Sequence, residues 1–309
     1  MNKILVGVAT YKRPNMLERL LRAIEKFQTE ADVRVLVADN DSIAREGAAV
    51  VESLVSRGYR FPLDSQIVET QGLSYSRNAI LESGFSDPSV DFIAMVDDDQ
   101  WPEPLWLDEL LKVQRETKAD IVGAAVWPEF EVRPPQWALK SRIYTLDTST
   151  TGPVDMLTGN GGILLSRNFT KLIHPPWYDH AFAKTGGEDV DLFMRLQAAG
   201  GRFARAARAV IHETFPASRI TLRWALTRAY RTGNTDMRVI LRYRRNTSDL
   251  IKEGAKILGV FVVFPFAFVL FLWSPGRRVD ALCKLWRAAG KLAALQGSHY
   301  VEYATIHGR

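Results

Sequence analysis

The sequence predicts an α/β fold in which a mainly parallel sheet is flanked by helices. Short apolar runs of buried-strand length recur through the first 213 residues, and segments with helical spacing of apolar residues separate most of them. The connections between these segments are short, which favours a right-handed, wound sheet. A chain of 309 residues with 47% apolar residues can bury one large or two ordinary cores. We predict a globular domain over residues 1–215 and a helical region over residues 216–309.

The first half of the chain alternates strands and helices. Residues 4–9, 33–38, 91–96 and 121–126 read as buried strands, because each is a continuous apolar run with β-branched members. Helical spacing joins Leu17 to Phe27 and Ala48 to Val55, with an extended piece near residues 66–69. Residues 72–78 open a third helix that we expect Ser83 and Gly84 to end. Another helix, of about fifteen residues, should start near Glu103.

The second half is less regular. Residues 127–151 predict an ordered loop or cover, because they combine breaks at proline with little periodicity. Residues 154–157 and 163–165 read as short strands around a glycine turn, where backbone can approach a ligand closely. Residues 174–184 are irregular and aromatic. A helix follows from residues 186–191 to the stop at Gly200 and Gly201, and a strand over residues 209–212 closes the domain.

Three carboxylates, Asp97, Asp98 and Asp99, follow the strand over residues 91–96 directly. The carboxyl edge of a parallel sheet is where ligands bind, and adjacent carboxylates repel one another unless a cation or protons intervene. Carboxylate oxygens suit Mg²⁺ and Mn²⁺. Polar loops after the first two strands, at residues 10–13 and 39–41, should meet the same edge. A solvated turn that caps the next helix is the alternative for the acidic cluster.

Composition excludes several other classes. Cys283 is the only cysteine, so no internal disulfide is available and a reducing compartment is expected. The N-terminus reads as a first strand and not as a secretory signal. Neither a P-loop nor a glycine fingerprint follows the first strand, which disfavours nucleotide hydrolysis and dinucleotide redox chemistry.

The C-terminal region is basic and then apolar. Residues 219–256 carry a net charge of +7 within a chain of +5, which indicates an anionic partner at this region. Residues 257–273 are seventeen uncharged residues with Pro265 at their middle, whereas a straight span needs about twenty. Basic residues flank both ends, so a re-entrant or interfacial hairpin is favoured over a simple span. A buried helix of a soluble protein is the alternative.

Five motifs taken together resemble the family 2 inverting glycosyltransferases of the GT-A fold. They are residues 10–14, residues 39–41, residues 72–78, the acidic cluster with Pro102, and residues 187–189, in the order and approximate spacing of that family. The resemblance covers residues 1–213. Within that family, the sequence looks most similar to bacterial exopolysaccharide glycosyltransferases that build a glycan on a lipid carrier.

The resemblance implies a donor site and a divalent cation, Mn²⁺ or Mg²⁺. Nucleotide-sugar binding, with a UDP-sugar expected, would involve Thr10, Tyr11, Arg13, Asp39, Asp41, Gly72, Arg77, Asp97 and Asp98. Among these, Asp39 would contact the nucleobase and Arg77 the diphosphate. The metal ligands would be Asp99, Asp97 and His212. Without the resemblance, residues 39–41 are an ordinary turn, Arg77 a solvated helix residue and His212 a histidine satisfied by neighbours.

The resemblance also implies a base and an acceptor site. Inversion needs a carboxylate that takes the proton of the attacking hydroxyl, and Asp189 matches the family's base, with Glu188 beside it and Asp191 in reserve. Acids in the first turn of a helix have the alternative role of satisfying its N–H groups. The acceptor and donor sugars would be framed by Trp127, Gly159, Asn160 and Gly161, although a tryptophan is more often a core residue.

The predicted function is inverting transfer of a sugar to a hydroxyl of a lipid-linked or polysaccharide acceptor. The predicted place is the cytoplasmic face of the inner membrane, where the chain would be monotopic or held by a single segment on an anionic surface. The alternatives are an inactive GT-A scaffold, a glycosidase, and a basic protein that binds membranes or nucleic acid. Nucleic acid is not an expected partner, because the apolar run adjoins the basic segment.

Overall fold

The computed structural model describes residues 1–144, 150–157, 159, 161–243, 247–298 and 300, and within these residues a nine-stranded sheet forms the centre of the molecule. The strands are β1 (Lys3–Thr10), β2 (Asp32–Asp39), β3 (Leu63–Ile67), β4 (Phe92–Asp97), β5 (Gln100–Pro102), β6 (Ile121–Phe130), β7 (Gly152–Val154), β8 (Ile163–Ser166) and β9 (Phe203–Phe215). The helices are α1 (Pro14–Ile24), α2 (Glu46–Ser56), α3 (Leu73–Ser86), α4 (Trp106–Thr117), α5 (Gln136–Lys140), α6 (Glu188–Ala198), α7 (Leu222–Tyr243), α8 (Thr247–Leu270) and α9 (Pro275–Leu295).

The strand order across the sheet is β3-β2-β1-β4-β8-β6-β9-β5, and β7 pairs with β9. Strands β1 to β4 are parallel to one another, as the strand-helix alternation predicts. Beyond β4 the sheet is mixed, because β8 is antiparallel to both β4 and β6 while β9 is parallel to β6. The predicted α/β class is therefore confirmed, and its parallel character belongs to the N-terminal half.

Both faces of the parallel half are covered by helices, which explains why its strands are continuously apolar. In β1, Ile4, Val6 and Val8 pack with α1, α2 and α4 on one face. The intervening Leu5 packs on the other face with Ile80 of α3. Because side chains alternate along a strand, each apolar run serves two cores, and the polar ends of the strands are left to form a site at one edge.

Several boundaries differ from those predicted. Helix α3 continues past Gly84, where a Cβ would lie 2.5 Å from the side chain of Ile93 and 2.8 Å from that of Leu5, so this glycine permits close packing on the sheet and does not end the helix. Val55 is half exposed and not inward. Strand β6 extends to Phe130 because Trp127 to Phe130 pair with His212 to Phe215 of a long β9, so the loop predicted from residue 127 starts later.

The C-terminal region consists of three long helices, of which sequence reasoning did not predict α9. Helix α8 is continuous through Pro265. Its segment Leu250–Leu270 is 21 residues long and contains an 18-residue window with a mean hydropathy of 1.9, of which 11% is buried. The segment is long and apolar enough to cross a membrane, and it is the one such helix in the described part of the chain.

Helices α7 and α9 pack in close backbone contact. A Cβ at Gly233 would lie 1.9 Å from the carbonyl oxygen of Arg287, and a Cβ at Gly290 would lie 2.0 Å from that of Tyr230. Helix α9 is also tied to α5, where Ser141 donates a 2.6 Å hydrogen bond to Asp280. The division at residue 215 stays a prediction, and the helices after it are fastened to the sheet domain.

We predict that Gly290→Ala destabilises the protein by about 1–3 kcal/mol, because the new methyl group overpacks a contact between two backbones. Urea unfolding followed by ellipticity measures the change. The control is Gly259→Ala in α8, where no atom of the described residues that are not its neighbours in the chain or helix would lie within 4 Å of the new Cβ. That substitution should be neutral or stabilise by up to about 1 kcal/mol through helix propensity. Equal stability of the two variants would contradict the close packing of α7 on α9.

Candidate active site

One cavity of about 460 Å³ lies at the carboxyl edge of β1 and β4. The loops after these strands, the first turns of α3 and α6, and one face of α7 surround it. The sequence-predicted residues that line it are Thr10, Tyr11, Arg13, Gly72, Arg77, Asp97, Asp98, Asp99, Gly159, Gly161, Glu188 and Asp189. Separate loops thus meet as the polar strand ends predict, although the roles assigned to the individual residues stay predictions.

Asp98 joins the loop after β1 to the loop after β4. The carboxylate is buried and accepts hydrogen bonds from the Thr10 hydroxyl at 2.9 Å and from the Arg13 guanidinium at 2.8 Å. Burial raises the pKa of Asp98 to about 6, and the adjacent Arg13 charge opposes that rise. The Asp98 carboxylate therefore links the loop after β1 to the loop after β4 through its hydrogen bonds.

Asp99 lies between two arginines. Its Oδ2 accepts from Arg13 at 3.3 Å and from Arg219 at 3.0 Å, and its backbone oxygen accepts from Thr214 N at 2.9 Å. Glu213 of β9 also lines the cavity. Burial, reinforced by the negative charge of Asp99, raises the pKa of Glu213 to about 7. The negative charge of Asp99 therefore disfavours ionisation of the Glu213 carboxyl group.

Arg77 is buried between two carboxylates from different elements. Its Nη2 donates to Asp97 at 2.9 Å and its Nη1 donates to Glu188 at 2.5 Å. Burial raises the pKa of Glu188 to about 7, and the Arg77 charge opposes the rise. The second oxygen of Glu188 is buried and has no hydrogen-bond partner among the described residues. Arg77 was predicted to meet the diphosphate, but its guanidinium holds the acidic loop and the start of α6 together.

Asp189 is the half-buried acid at the start of α6 that lines the cavity. Its Oδ1 accepts a hydrogen bond from Val190 N at 2.8 Å. Asp189 therefore also satisfies an N–H group in the first turn of α6, which is the alternative role for acids at this position. Gly186 and Gly187 adopt left-handed φ values of 73° and 93°. A Cβ at Gly187 would lie 1.8 Å from Thr235 of α7, so only glycine lets this turn bring Asp189 beside α7.

Asp191, the reserve base, is not in the cavity. It is fully buried, accepts from Arg195 Nε at 2.9 Å and accepts from the Tyr243 hydroxyl at 2.8 Å. A carboxylate two residues from Asp189 along a helix points about 200° away from it. Asp191 therefore ties α6 to α7 and has no access to a substrate in the cavity.

Asp39 and Asp41 also lie outside the cavity lining. The Asp39 carboxylate accepts hydrogen bonds from Asp41 N at 2.9 Å and from Ala48 N at 3.0 Å. These local contacts fit the alternative interpretation, in which residues 39–41 form an ordinary turn. Asn40 lines the cavity in their place and accepts from Gly72 N at 2.7 Å. The contact of Asp39 with a nucleobase stays a prediction that this geometry does not favour.

His212 is directed away from the acidic cluster. Its ring stacks on Trp101 at 5.3 Å between centroids, and its nitrogens lie 3.1 Å from Glu129 and 3.3 Å from Glu103. The reason is alternation along β9, which sends adjacent side chains to opposite faces, so that Glu213 faces the cavity and His212 does not.

The residues predicted to frame the sugars are divided. Gly159 and Gly161 line the cavity, whereas Trp127 is 55% exposed and lies outside it. Asn160 lies outside the described residues. In place of Trp127, the aromatic lining comes from Trp224 and Tyr144, whose rings stack with centroids 5.9 Å apart, and from Phe215.

Sequence reasoning missed that one face of α7 is a wall of the cavity. Trp224, Arg228, Arg231 and Thr235 line it at helical spacing, and Arg219 joins them from the turn before α7. The charge of this basic segment predicts contact with an anionic membrane surface instead. The spacing of four, three and four residues from Trp224 to Thr235 was the available signal that one face of the helix is directed at the domain.

The donor atoms in the cavity suit a divalent cation in chemical type, since carboxylate oxygens are the preferred ligands of Mg²⁺ and Mn²⁺. Asp97 pairs with Arg77, Asp98 with Arg13, and Asp99 with both Arg13 and Arg219, and Glu213 is a further acidic residue of the lining. Among the described residues, no group of three or more acidic, histidine or cysteine side chains is arranged to hold a metal.

Comparisons with known proteins agree with this architecture. The family model for Glycosyl transferase family 2 matches residues 5–170. The succinoglycan biosynthesis protein ExoM of Rhizobium meliloti (strain 1021) is 32% identical over 311 residues, covering 96% of this chain and 94% of ExoM.

Two solved structures show the shared GT-A fold. The mannosyltransferase PcManGT from Pyrobaculum calidifontis, in complex with GDP-Man and Mn²⁺, matches with a TM-score of 0.63 at 14% identity over 96% of this chain and 88% of its own. S. aureus TarS 1-349, in complex with UDP-GlcNAc, matches with a TM-score of 0.51 at 15% identity over 99% of this chain and 95% of its own. The chain spans about half, 54%, of a longer TarS chain.

We predict that Arg77→Met lowers the free energy of unfolding by about 3–5 kcal/mol at pH 8, because Asp97 and Glu188 lose their common partner. Urea unfolding at pH 8 and pH 5.5 measures it. The loss should shrink at pH 5.5, since without Arg77 the raised pKa of Glu188 rises further and the folded variant binds protons that the unfolded chain does not.

The control for this prediction is Arg22→Met, which removes an exposed arginine that pairs with Glu25 at 3.0 Å on α1. Surface pairs contribute up to about 1 kcal/mol, so the change should be small at both pH values. An Arg77 loss equal to that of Arg22, or independent of pH, would mean that the buried pair does not hold the site together.

Proposed function

The chain belongs to glycosyl transferase family 2, and from that membership we propose an inverting transfer of a sugar from a nucleotide-sugar to an acceptor hydroxyl. One observation carries the proposal. The arginines of α7 and a half-buried acid, Asp189, line one cavity at the carboxyl edge of the sheet. Such a cavity can hold an anionic leaving group against the arginines and pass a proton to the acid.

The donor diphosphate would lie against Arg219, Arg228 and Arg231. The planar, permanently charged guanidinium groups suit phosphate oxygens and stabilise the negative charge that accumulates as nucleoside diphosphate departs. The loop containing Thr10 and Tyr11, with Asn40 beside it, offers hydroxyl, ring and amide groups to the nucleoside. A UDP-sugar is the expected donor. TarS 1-349 was solved with UDP-GlcNAc and PcManGT with GDP-Man, so the base is the first property to test.

Asp99 and Glu213 would hold Mn²⁺ or Mg²⁺. When bound, the ion supplies positive charge to the diphosphate and thereby makes it a better leaving group. Two carboxylates that repel one another also gain from a cation between them. PcManGT was solved with Mn²⁺, which supports divalent metal use in this fold.

Asp189 would act as the base. The acceptor hydroxyl oxygen forms the new bond to the anomeric carbon, the bond from that carbon to the diphosphate oxygen breaks on the opposite face, and the hydroxyl proton passes to Asp189. Glu188 is less suited to this role, because it is buried and its carboxylate already accepts a hydrogen bond from Arg77. Its part would be to position the turn that carries Asp189.

The acceptor would be a polysaccharide or lipid-linked glycan at the cytoplasmic face of the inner membrane. Likeness to a succinoglycan biosynthesis protein supports exopolysaccharide assembly. The apolar helix α8 and the nearby basic residues support attachment to an anionic membrane surface. An inactive scaffold with the same fold is the alternative, and turnover separates the two.

We predict that Asp189→Asn lowers turnover by about 10²–10⁴-fold while donor binding stays nearly unchanged, because the amide cannot accept the proton. Transfer of labelled sugar from a panel of UDP- and GDP-sugars to a membrane-extract acceptor gives turnover, and calorimetry with the donor gives binding. Asp64→Asn, the same change at an exposed acid of β3, is the control and should be silent. Full turnover in the Asp189 variant would place the base elsewhere.

We also predict that Asp99→Asn removes the metal dependence of donor binding. The amide still accepts hydrogen bonds from Arg13 and Arg219 but no longer binds a cation tightly. Calorimetry with UDP, in Mn²⁺ and in EDTA, checks it: the wild type should bind more tightly with Mn²⁺, the variant equally in both. His212→Ala is the contrasting variant and should keep the Mn²⁺ effect, whereas loss of that effect would restore His212 as a ligand.

A further inference from the structure

Helix α8 has a continuous apolar face that no described element covers. On an α-helix, residues separated by three or four positions share a face. Along α8 this spacing selects a row in which the larger side chains are 58–75% exposed. We call it the outer stripe, and its members are Ile251, Ala255, Leu258, Val262, Phe266 and Val269. Trp273, just beyond the helix, is 95% exposed.

The opposite face of α8 is attached to α9. Ile257 and Glu253 are buried there, and Glu253 pairs with Lys291 of α9 and with Lys256 of α8, both at 2.6 Å. Four residues, 271–274, separate the two helices. Glu253 and Lys291 are nearly equally far from that turn along the chain, so α8 and α9 run antiparallel, side by side, for most of their length.

Helix α9 is attached to the rest of the protein at two places along its length. Near its start, Asp280 accepts from Ser141 at 2.6 Å and from Arg142 N at 2.9 Å. Farther along, Arg287 donates to Asp236 of α7 at 2.7 Å. The start of α8 is also close to an attachment point, because only three residues separate it from Tyr243 in the chain. The Tyr243 hydroxyl donates a hydrogen bond to the buried Asp191 of α6. Both ends of α8 are thus anchored to the same domain.

A membrane span is incompatible with this attachment. A 24-residue helix is about 36 Å long, so a span would separate its ends by the full bilayer, about 30 Å of hydrocarbon. One end would have to leave the domain, or α9 would have to enter the bilayer with α8. Helix α9 carries Arg277, Arg278, Asp280, Lys284, Arg287 and Lys291, and charges at that depth are costly.

We propose that α8 lies flat in the plane of the bilayer interface, with the outer stripe in the acyl region and α9 on the water side. This deepens the proposed function, on which it rests only for the presence of a membrane. The occupant of the stripe is a lipid surface, because the stripe has no charged member, Lys252 and Lys256 flank it near its start, and Trp273 with Arg277 and Arg278 marks its end. A surface for a second copy would be expected to carry hydrogen-bonding groups among its apolar residues.

Vesicle flotation of the full chain, without substrate, tests the partner. The protein should float with vesicles of phosphatidylglycerol and phosphatidylethanolamine and less with pure phosphatidylcholine. Val262→Glu should reduce the bound fraction at least tenfold. Val55→Glu, the same change at a valine of α2 that is 50% exposed, should leave flotation unchanged. Equal flotation of the two variants overturns the proposal, as does a dimer in solution that Val262→Glu disperses.

Depth measurements test the orientation. In a Cys283→Ala background, single cysteines at residues 251, 262 and 269 of the outer stripe carry spin labels whose depth is read from relaxation by lipid-soluble and water-soluble agents. The three labels should be equally shallow, and a label at residue 257 on the α9 side should stay out of the lipid. A label at residue 262 that lies deepest, near the bilayer centre, indicates a span and overturns the proposal.

These outcomes separate the two proposals. Flotation and label depth involve no donor and no turnover, so an inactive protein that binds vesicles flat leaves the inference about α8 intact. A protein that transfers sugar but does not float refutes the inference about α8 and leaves the proposed chemistry standing.

Discussion

The structure depends on the buried guanidinium of Arg77 between Asp97 and Glu188. These carboxylates come from the end of β4 and the start of α6, elements 91 residues apart in the chain. A buried charge is stable only when an opposite charge lies in hydrogen-bond contact with it. If the acidic loop and the turn with Asp189 moved apart, Arg77 or one of its carboxylate partners would be left buried without a counter-charge. One arginine thereby sets the distance between the acidic loop and the start of α6 in the cavity wall.

Helix α7 connects the chemistry to the C-terminal helices. Trp224, Arg228 and Arg231 face the cavity, while Gly233 lies at the backbone contact with α9. The basic residues therefore have two different purposes that composition alone does not separate. Those directed at the cavity can serve a diphosphate, and those near α8 can serve an anionic surface. If α8 lies on a membrane as proposed, a single rigid helix would keep the cavity at a constant height above that surface.

Three of the predicted site residues lie outside the cavity lining for a common reason. Asp39, Asp191 and His212 each stand one or two residues from a side chain that does line the cavity: Asn40, Asp189 and Glu213. Which of two neighbours faces a site depends on the register of a strand or the rotation of a helix. In β9 the pairing with β6 shifts from Ala124 opposite Ala206 to Ala125 opposite Val210, and this odd insertion reverses the alternation before residues 212 and 213.

The sequence by itself determined the α/β class, the early strands, the acidic cluster at a strand end and the membership in a glycosyltransferase family. These follow from local periodicity and from motifs, which act over a few residues. Only the tertiary structure decided that Arg77 binds two carboxylates, that α7 forms a cavity wall, and that α8 has both ends attached to one domain. Each of these joins residues far apart in the chain, and such contacts depend on packing that no local pattern records.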